Sequence, residues 1–195
     1  MNIPNSLTII RILLIPVFIL VFYLPYQWTH AAAAALFAVG AVTDWLDGYL
    51  ARKLDQVSRF GAFLDPVADK LLVAVALVLL VQADPRAWLA ITAAIIIGRE
   101  IAVSALREFM AEMGQRSQVK VAAVGKIKTI AQMTAIVLML YRIPIRDVPI
   151  YEIGYVLLVI AAGLTLWSMF VYLRAAWPSL KPGAESESGE PETLP

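Results

Sequence analysis

Six apolar stretches, each close to the length of one bilayer crossing, dominate this chain of 195 residues. A helix needs about 20 consecutive apolar residues to cross the hydrocarbon core of a bilayer. Hydrophobic residues make up 61% of the chain, whereas a soluble domain contains about 45–50%. This composition excludes an ordinary soluble domain and predicts an all-α integral membrane protein with six transmembrane helices. The predicted helices cover residues 7–24, 31–50, 61–81, 88–107, 124–141 and 153–173.

Lys and Arg residues are distributed unevenly between the two ends of the predicted helices. Because short cytoplasmic segments carry an excess of Lys and Arg, the richer side is predicted to face the cytoplasm. Both termini are then cytoplasmic, in a multi-pass protein of the cell (inner) membrane. The richer side carries Arg52, Lys53, Arg59, Arg107, Arg116, Lys120, Lys126, Lys128, Arg174 and Lys181. The opposite side carries Arg86, Arg142 and Arg146.

The composition also changes along the chain, which defines the predicted domains. Residues 1–177 are predicted to form one membrane domain. Residues 178–195 are rich in Pro, Gly, Ser and Glu and contain few large apolar side chains. Such a segment cannot bury enough surface to fold, so it is predicted to be a disordered acidic tail. The chain contains no cysteine, which excludes disulfides and zinc sites built on thiolates.

Four aspartates flank the connection between the second and third predicted helices. Asp44 and Asp47 are spaced i, i+3, and Asp65 and Asp69 are spaced i, i+4, so each pair lies on one helix face. An antiparallel hairpin brings the four carboxylates together on the cytoplasmic side, where like charges repel unless cations neutralise them. Oxygen donors without Cys or clustered His favour Mg²⁺ or Mn²⁺ over zinc. Two such ions about 4 Å apart would clamp both oxygens of a phosphoryl displacement.

Small residues and one arginine lie between the aspartates. Gly48 and Gly61 allow a nucleotide or phosphate to approach the backbone closely, and Ala51 keeps the same face small. Arg52 carries a guanidinium, which suits phosphate binding. A solvated hairpin loop with glycine packing is the alternative interpretation. It does not explain why four aspartates, two glycines and an arginine occur in one stretch.

The segment DWLDGYLARKLDQVSRFGAFLDPVAD, residues 44–69, resembles the signature of the CDP-alcohol phosphatidyltransferases, D-x2-D-G-x2-A-R-x8-G-x3-D-x3-D. Every signature position is met. The resemblance implies that Asp44, Asp47, Asp65 and Asp69 bind two divalent ions, Mg²⁺ or Mn²⁺. It also implies that Asp69 is the catalytic general base. Because a carboxylate beside two cations is a weak base, metal polarisation of the attacking hydroxyl is expected to share the work.

The same resemblance assigns residues to the nucleotide. Asn5, Thr8 and Arg11 recur every three residues at the start of the first predicted helix. Helix capping with an arginine that extends to the membrane interface is the alternative interpretation of this pattern. The family resemblance implies a nucleotide site made by Asn5, Thr8, Gly48, Ala51, Arg52 and Gly61.

Further blocks, PNSLTIIR, REIAVSALRE and GKIKTIAQM, are similar to family members whose acceptor is sn-glycerol 3-phosphate. Arg99 lies near the middle of the fourth predicted helix, and an arginine inside a membrane is a functional candidate. Its alternative role is an ion pair with Glu100 that ties helices together. The resemblance implies that Arg99, Arg107 and Lys126 bind the acceptor phosphate. It further implies a homodimer that makes phosphatidylglycerophosphate and CMP from CDP-diacylglycerol, a step of phospholipid biosynthesis.

Three alternative functions remain open from the sequence. A related enzyme of the same family could use inositol phosphate or serine as its acceptor. A divalent-cation transporter would need acidic or polar residues that continue across the membrane, and the fifth and sixth predicted helices have no acidic residue at their centres. A non-catalytic lipid-binding scaffold would leave the complete set of metal ligands unexplained.

Overall fold

The computed structural model, which describes residues 3–53, 59–112 and 123–180, is entirely helical in its regular structure. Each predicted apolar stretch coincides with one of six helices, except that the first ends one residue beyond α1, so the all-α prediction is confirmed. Ile145 and Val148 form an isolated bridge in the connection before the last helix. The helices are α1 (Ile3–Tyr23), α2 (Trp28–Lys53), α3 (Arg59–Ala83), α4 (Ala87–Glu112), α5 (Ala123–Tyr141) and α6 (Ile150–Leu180).

The helices differ in how well their length and composition suit a membrane crossing. Within the described ranges, three segments are long and apolar enough to cross one: Ser6–Tyr23, Ala87–Met110 and Ile150–Val171. The apolar parts of α2 and α5 are shorter, at Trp28–Thr43 and Lys128–Tyr141. The apolar part of α2 is short because the charged residue Asp44 follows it directly. The chain is therefore a helical membrane protein, and the six crossings remain a prediction.

The helices pack around an apolar interior and present apolar side chains outward as well. α5 packs along α6 and α2. α1 packs on both α2 and α3, and α4 packs on α6. Phe18 of α1 and Phe37 of α2 are fully buried, with ring centroids 6.4 Å apart. On the outside, Leu20, Ile130 and Trp167 are about two-thirds exposed, at 68%, 67% and 68%. Large exposed apolar surfaces are typical of a protein surrounded by lipid.

Gly154 sets the close approach of α6 to α5. A methyl group on Gly154 would come 2.9 Å from the Ala135 carbonyl oxygen and 2.9 Å from Leu138 Cβ. A backbone carbonyl cannot rotate away, so Gly154→Ala is expected to destabilise the protein by about 1–3 kcal/mol. Gly163→Ala on the same helix is the matched control, because no atom of the described residues lies within 4 Å of the added methyl group. The unfolding midpoint of the purified protein checks both variants, and an unchanged midpoint in Gly154→Ala would contradict the close packing.

An ion-pair cluster ties the end of α3 to the start of α6, at the end of the bundle opposite the α3 aspartates. Arg86 Nη2 lies 2.7 Å from Asp84 Oδ2, and Arg86 Nη1 lies 3.3 Å from Glu152 Oε2. The Tyr151 hydroxyl donates to Asp84, and the Arg86 guanidinium stacks 4.4 Å from the centre of the Tyr155 ring. These contacts join the connection between α3 and α4 to the start of α6, which is distant in sequence.

The Asp84 carboxylate makes this cluster sensitive to acid. Burial raises the pKa of Asp84, but hydrogen bonds from Arg86 and Tyr151 outweigh burial and hold the pKa below its usual value. A lowered pKa in the folded state stabilises the fold above the unfolded-state pKa, about 3.9, and this stabilisation is lost as the pH falls further. We therefore expect the wild type to unfold at higher temperature than Asp84→Asn at pH 7, with the difference shrinking below about pH 4. A constant difference from pH 7 to pH 3 would contradict this role.

The last helix continues past the predicted domain boundary. α6 ends at Leu180, three residues beyond residue 177, because the helix continues through Pro178. The remainder of the predicted tail, from residue 181 onward, lies outside the described residues.

Candidate active site

The direction of α3 relative to α2 follows from one close contact and one short connection. Gly40 of α2 lies against Leu72 of α3, since a methyl group on Gly40 would come 2.5 Å from Leu72 Cδ2. Gly40 is 13 residues before the end of α2 and Leu72 is 13 residues after the start of α3, about 20 Å in each helix. Parallel helices would separate Lys53 from Arg59 by about 39 Å. Six residue steps span at most about 22 Å, so the two helices run in opposite directions.

This antiparallel hairpin sets the height of each of the four aspartates, meaning its position along the helix axis. Asp47 lies six residues before the end of α2 and Asp65 six residues after the start of α3, about 9 Å from their helix ends. Asp44 and Asp69 lie nine and ten residues from the same ends, about 14 and 15 Å away. The backbone therefore sets Asp47 level with Asp65, and Asp44 level with Asp69.

The donor set at these heights suits a hard divalent cation. Asp69 is half-buried and takes part in a polar interaction. For Asp44, Asp47 and Asp65 the structure describes the helical backbone and not the side chains. Among the side chains that it does describe, no three His, Cys, Asp or Glu residues come together. Carboxylate oxygens from two paired helices are the ligands that Mg²⁺ and Mn²⁺ prefer, so the donor chemistry fits these ions.

Two polar residues of the predicted nucleotide stripe are buried in α1. Thr8 and Arg11 are both fully buried, and each takes part in a polar interaction. α1 and α2 are joined by only four residues, and Phe18 packs on Phe37. Thr8 lies ten residues before Phe18 and Asp47 ten residues after Phe37, so both lie about 15 Å from that contact in the same direction. Thr8 is thus level with the α2 aspartates.

The remaining predicted nucleotide residues are described less completely. Gly61 is buried in the first turn of α3. For Asn5 in α1, and for Gly48, Ala51 and Arg52 in the last turns of α2, only the helical backbone is described. Their assignment to the nucleotide remains a prediction, and their helices begin or end at the aspartate end of the hairpin.

Arg99, the first predicted acceptor residue, is buried in α4 at the height of Asp69. Its side chain is 6% exposed and forms a close ion pair with Glu100. Glu100 and Lys70 line the same cavity of about 310 Å³ between α3 and α4. Asp69 lies 14 residues before the end of α3 and Arg99 12 residues after the start of α4, about 21 and 18 Å from the short connection between these helices. Arg99 and Asp69 are therefore within one helical turn of the same height. The Arg99–Glu100 ion pair of the alternative interpretation is present, but both residues belong to α4, so the pair does not tie two helices together. It is compatible with acceptor binding because an arginine has five N–H donors.

The other two predicted acceptor residues lie further along α4 and at the start of α5. Arg107 lies eight residues further along α4, about 12 Å along the helix axis. Lys126 lies in the first turn of α5. For both residues only the backbone is described.

Sequence reasoning missed Lys128, which the charge count treated as a residue of the cytoplasmic side. The structure buries Lys128 within the bundle, with 5% of its side chain exposed. Lys128 Nζ lies 3.3 Å from Ser168 Oγ, and Arg99 Nη2 lies 3.5 Å from the same oxygen. Thr165 and Ser168 are polar side chains in the otherwise apolar α6. This pattern is the sequence signal that could have indicated a buried polar cluster.

The fold and this arrangement define a class of protein: a helical membrane protein with an acidic helix hairpin suited to metal-assisted phosphoryl chemistry. The family model described as CDP-alcohol phosphatidyltransferase matches residues 1–167. The chain therefore belongs to the CDP-alcohol phosphatidyltransferase family and is a transferase. Dependence on divalent cations is a property of this family.

Curated relatives resemble the chain over nearly its whole length. A Pseudomonas fluorescens protein is 59% identical over 188 residues, which cover 96% of each chain. A Shigella flexneri protein is 54% identical over 175 residues, covering 90% of this chain and 94% of its own. A Yersinia pseudotuberculosis protein is 54% identical over 180 residues, covering 92% of this chain and 97% of its own. All three are named CDP-diacylglycerol–glycerol-3-phosphate 3-phosphatidyltransferase.

Proposed function

We propose that the protein transfers the phosphatidyl group of CDP-diacylglycerol to sn-glycerol 3-phosphate, forming phosphatidylglycerophosphate and CMP. The observation that carries this proposal is the height of Arg99, a buried cation level with Asp69 on the neighbouring helix. An acceptor that carries its own phosphate needs such a cation, whereas serine does not. The name shared by the three relatives specifies glycerol 3-phosphate as that acceptor.

The metal site is assigned to the four aspartates of the hairpin. Asp44, Asp47, Asp65 and Asp69 would hold two Mg²⁺ or Mn²⁺ ions. When bound, these ions supply Lewis-acid polarisation of the diphosphate and of the attacking hydroxyl. Oxygen ligands alone, without cysteine, support this assignment.

The chemical step is assigned to Asp69 and the acceptor hydroxyl. Asp69 accepts the hydroxyl proton, and the hydroxyl oxygen forms a bond to the phosphorus that carries the diacylglycerol. The bond from that phosphorus to the bridging oxygen of the diphosphate breaks, and CMP leaves with that oxygen and its electron pair. Since Asp69 is half-buried, it can contact a substrate at the edge of the bundle. A base must lie within hydrogen-bond reach of the proton that it removes.

The cytidine diphosphate is assigned to the aspartate end of α1, α2 and α3. Asn5 and Thr8 would contact it from α1, and Gly61 from the first turn of α3. The end of α2 contributes Gly48, Ala51 and Arg52. The burial of Thr8 level with the α2 aspartates supports this assignment.

The cellular arrangement extends the same proposal. We place the site on the cytoplasmic side of the inner membrane, with six crossings, both termini in the cytoplasm and two copies forming a homodimer. Residues 1–177 then form the catalytic membrane domain, and residues 178–195 an acidic tail that takes no part in catalysis. The excess of Lys and Arg on the aspartate side supports this orientation.

Release of CMP by the purified protein in lipid vesicles tests the proposed function. CDP-diacylglycerol and Mg²⁺ are supplied with glycerol 3-phosphate, inositol phosphate, serine or glycerol in parallel reactions. Glycerol 3-phosphate is expected to give the fastest release and a phosphatidylglycerophosphate product identified by mass spectrometry. Faster release with inositol phosphate or serine would assign the chain a different acceptor. Mn²⁺ flux into vesicles without CMP release would indicate a transporter instead.

A further inference from the structure

A buried polar cluster lies where α4, α5 and α6 meet, and it contains more positive than negative charge. Arg99 and Lys128 are 6% and 5% exposed. Arg99 pairs with Glu100, and within the described part of the chain no carboxylate pairs with Lys128. A buried ammonium without a counter-charge is costly. The cluster therefore has the charge and burial of a site that receives an anion.

The hydrogen bonds inside the cluster are incomplete. Ser168 Oγ accepts from Arg99 Nη2 at 3.5 Å and from Lys128 Nζ at 3.3 Å, which is long for contacts with a charged donor, usually about 2.7–2.9 Å. The Ser168 hydroxyl donates to the Thr165 carbonyl oxygen at 2.9 Å, which fixes its direction. Arg99 Nε and the fully buried Thr165 hydroxyl have no hydrogen-bond partner among the described residues. Donors from three helices thus remain available to a ligand.

The helical rotation of α5 distinguishes Lys128 from Lys126. The two positions are separated by two residues, or about 200° around the helix. Side chains spaced in this way do not share a face. Lys128 is the α5 position that faces Arg99 and Ser168.

We propose that Lys128, together with Arg99, binds the phosphomonoester group of the acceptor, and that Ser168 is a positioning residue that holds both cations on one oxygen. This inference rests on the proposed function, since it gives the acceptor phosphate its contacts from α4, α5 and α6. The negative charge of a phosphomonoester would offset the net positive charge of the cluster, and its three terminal oxygens would accept from Lys128, from Arg99 Nε and from the Thr165 hydroxyl.

Phosphate binding without turnover tests this site. Glycerol 3-phosphate and inorganic phosphate are titrated separately into purified protein in EDTA, so that neither binds through a divalent ion, and the unfolding midpoint is recorded. Both probes are expected to raise the midpoint of the wild type. Lys128→Met should weaken the dissociation constant for both about ten- to a hundredfold, and Lys128→Arg should largely restore it. Ser168→Ala should weaken it about three- to tenfold.

The same titration distinguishes a ligand site from a structural one. Lys128→Met keeps the buried aliphatic chain and removes a buried charge that no described carboxylate neutralises, so without phosphate its unfolding midpoint should equal or exceed that of the wild type. A clearly lowered midpoint without ligand, with phosphate affinity unchanged, would show a structural lysine and overturn the proposal. The matched controls are Ser104→Ala, whose hydroxyl donates to the Glu100 carbonyl oxygen, and Arg174→Met, an exposed cation on α6. Both should bind phosphate as the wild type does.

Failure of the acceptor assignment and failure of this site give different results. Should both probes bind at Lys128 while glycerol 3-phosphate fails to stimulate CMP release, the phosphate site stands and the acceptor is another phosphomonoester. Equal affinity of the wild type and Lys128→Met for both probes would overturn the site, whatever the activity. Absence of binding to the wild type would overturn it as well.

Discussion

Replacing Asp44, Asp65 or Asp69 by Asn is expected to abolish phosphatidyl transfer. Each change removes one negative charge from the proposed metal site and leaves the side-chain volume nearly unchanged. Loss of about 4 kcal/mol of metal-dependent stabilisation of the transition state lowers kcat about a thousandfold. CMP release per mole of membrane-inserted protein measures this loss. EDTA should likewise stop the unmodified enzyme, and Mg²⁺ or Mn²⁺ should restore it.

The control for these substitutions is Asp147→Asn, because Asp147 lies exposed in the connection between α5 and α6. Its backbone has φ 66°, a conformation that Asn tolerates well. This variant should retain wild-type activity. Substantial CMP release by Asp44→Asn, Asp65→Asn or Asp69→Asn would remove the basis for a two-metal site.

Substitution of the three predicted acceptor cations should raise KM for glycerol 3-phosphate far more than KM for CDP-diacylglycerol. Charge-assisted hydrogen bonds in a partly desolvated site contribute about 1.5–3 kcal/mol each, or about ten- to a hundredfold in affinity. Arg99→Gln should have the largest effect, because Arg99 is buried at the height of Asp69. The family resemblance predicts the same direction for Arg107→Gln and Lys126→Gln, whereas the burial of Lys128 predicts a larger effect for Lys128→Met than for Lys126→Gln. Steady-state kinetics with each substrate varied separately measures the two KM values.

Plain glycerol provides the internal control for this prediction. Without a phosphate it should be a poor acceptor for the unmodified enzyme, and its use should respond little to Arg99→Gln. Contacts that also orient the hydroxyl should lower kcat as well. If the variants lose affinity for CDP-diacylglycerol and keep normal affinity for glycerol 3-phosphate, the cations belong to the nucleotide site.

The positions of the helices could be predicted from the sequence because the apolar stretches and the proline-containing connections between them are local features. The aspartate spacing could likewise be read directly, since i, i+3 and i, i+4 spacings determine a helix face. The heights of the four aspartates relative to one another could not be predicted. Those heights depend on the contact between Gly40 and Leu72, which joins residues 32 positions apart and has no signature of its own.

Lys128 shows why the candidate site was only partly predictable. The sequence places Lys126 and Lys128 together at the start of one apolar stretch, and a count of charges treats them alike. Only the rotation of α5 against α6 shows that Lys128 is buried and that its ammonium contacts Ser168. The need for glycine at position 154 is similar, because the Ala135 carbonyl oxygen that excludes a larger residue belongs to another helix.

Electron paramagnetic resonance of Mn²⁺ bound to the purified protein tests the four-aspartate site most directly. Two bound ions held by shared carboxylates should lie about 3.5–4 Å apart, so their spins should couple and broaden the six-line spectrum of isolated Mn²⁺. Asp65→Asn should abolish the coupling, and Asp147→Asn should preserve it. Uncoupled Mn²⁺ in the wild type, or a coupled pair that survives in Asp65→Asn, would contradict a metal site built from both helices of the hairpin.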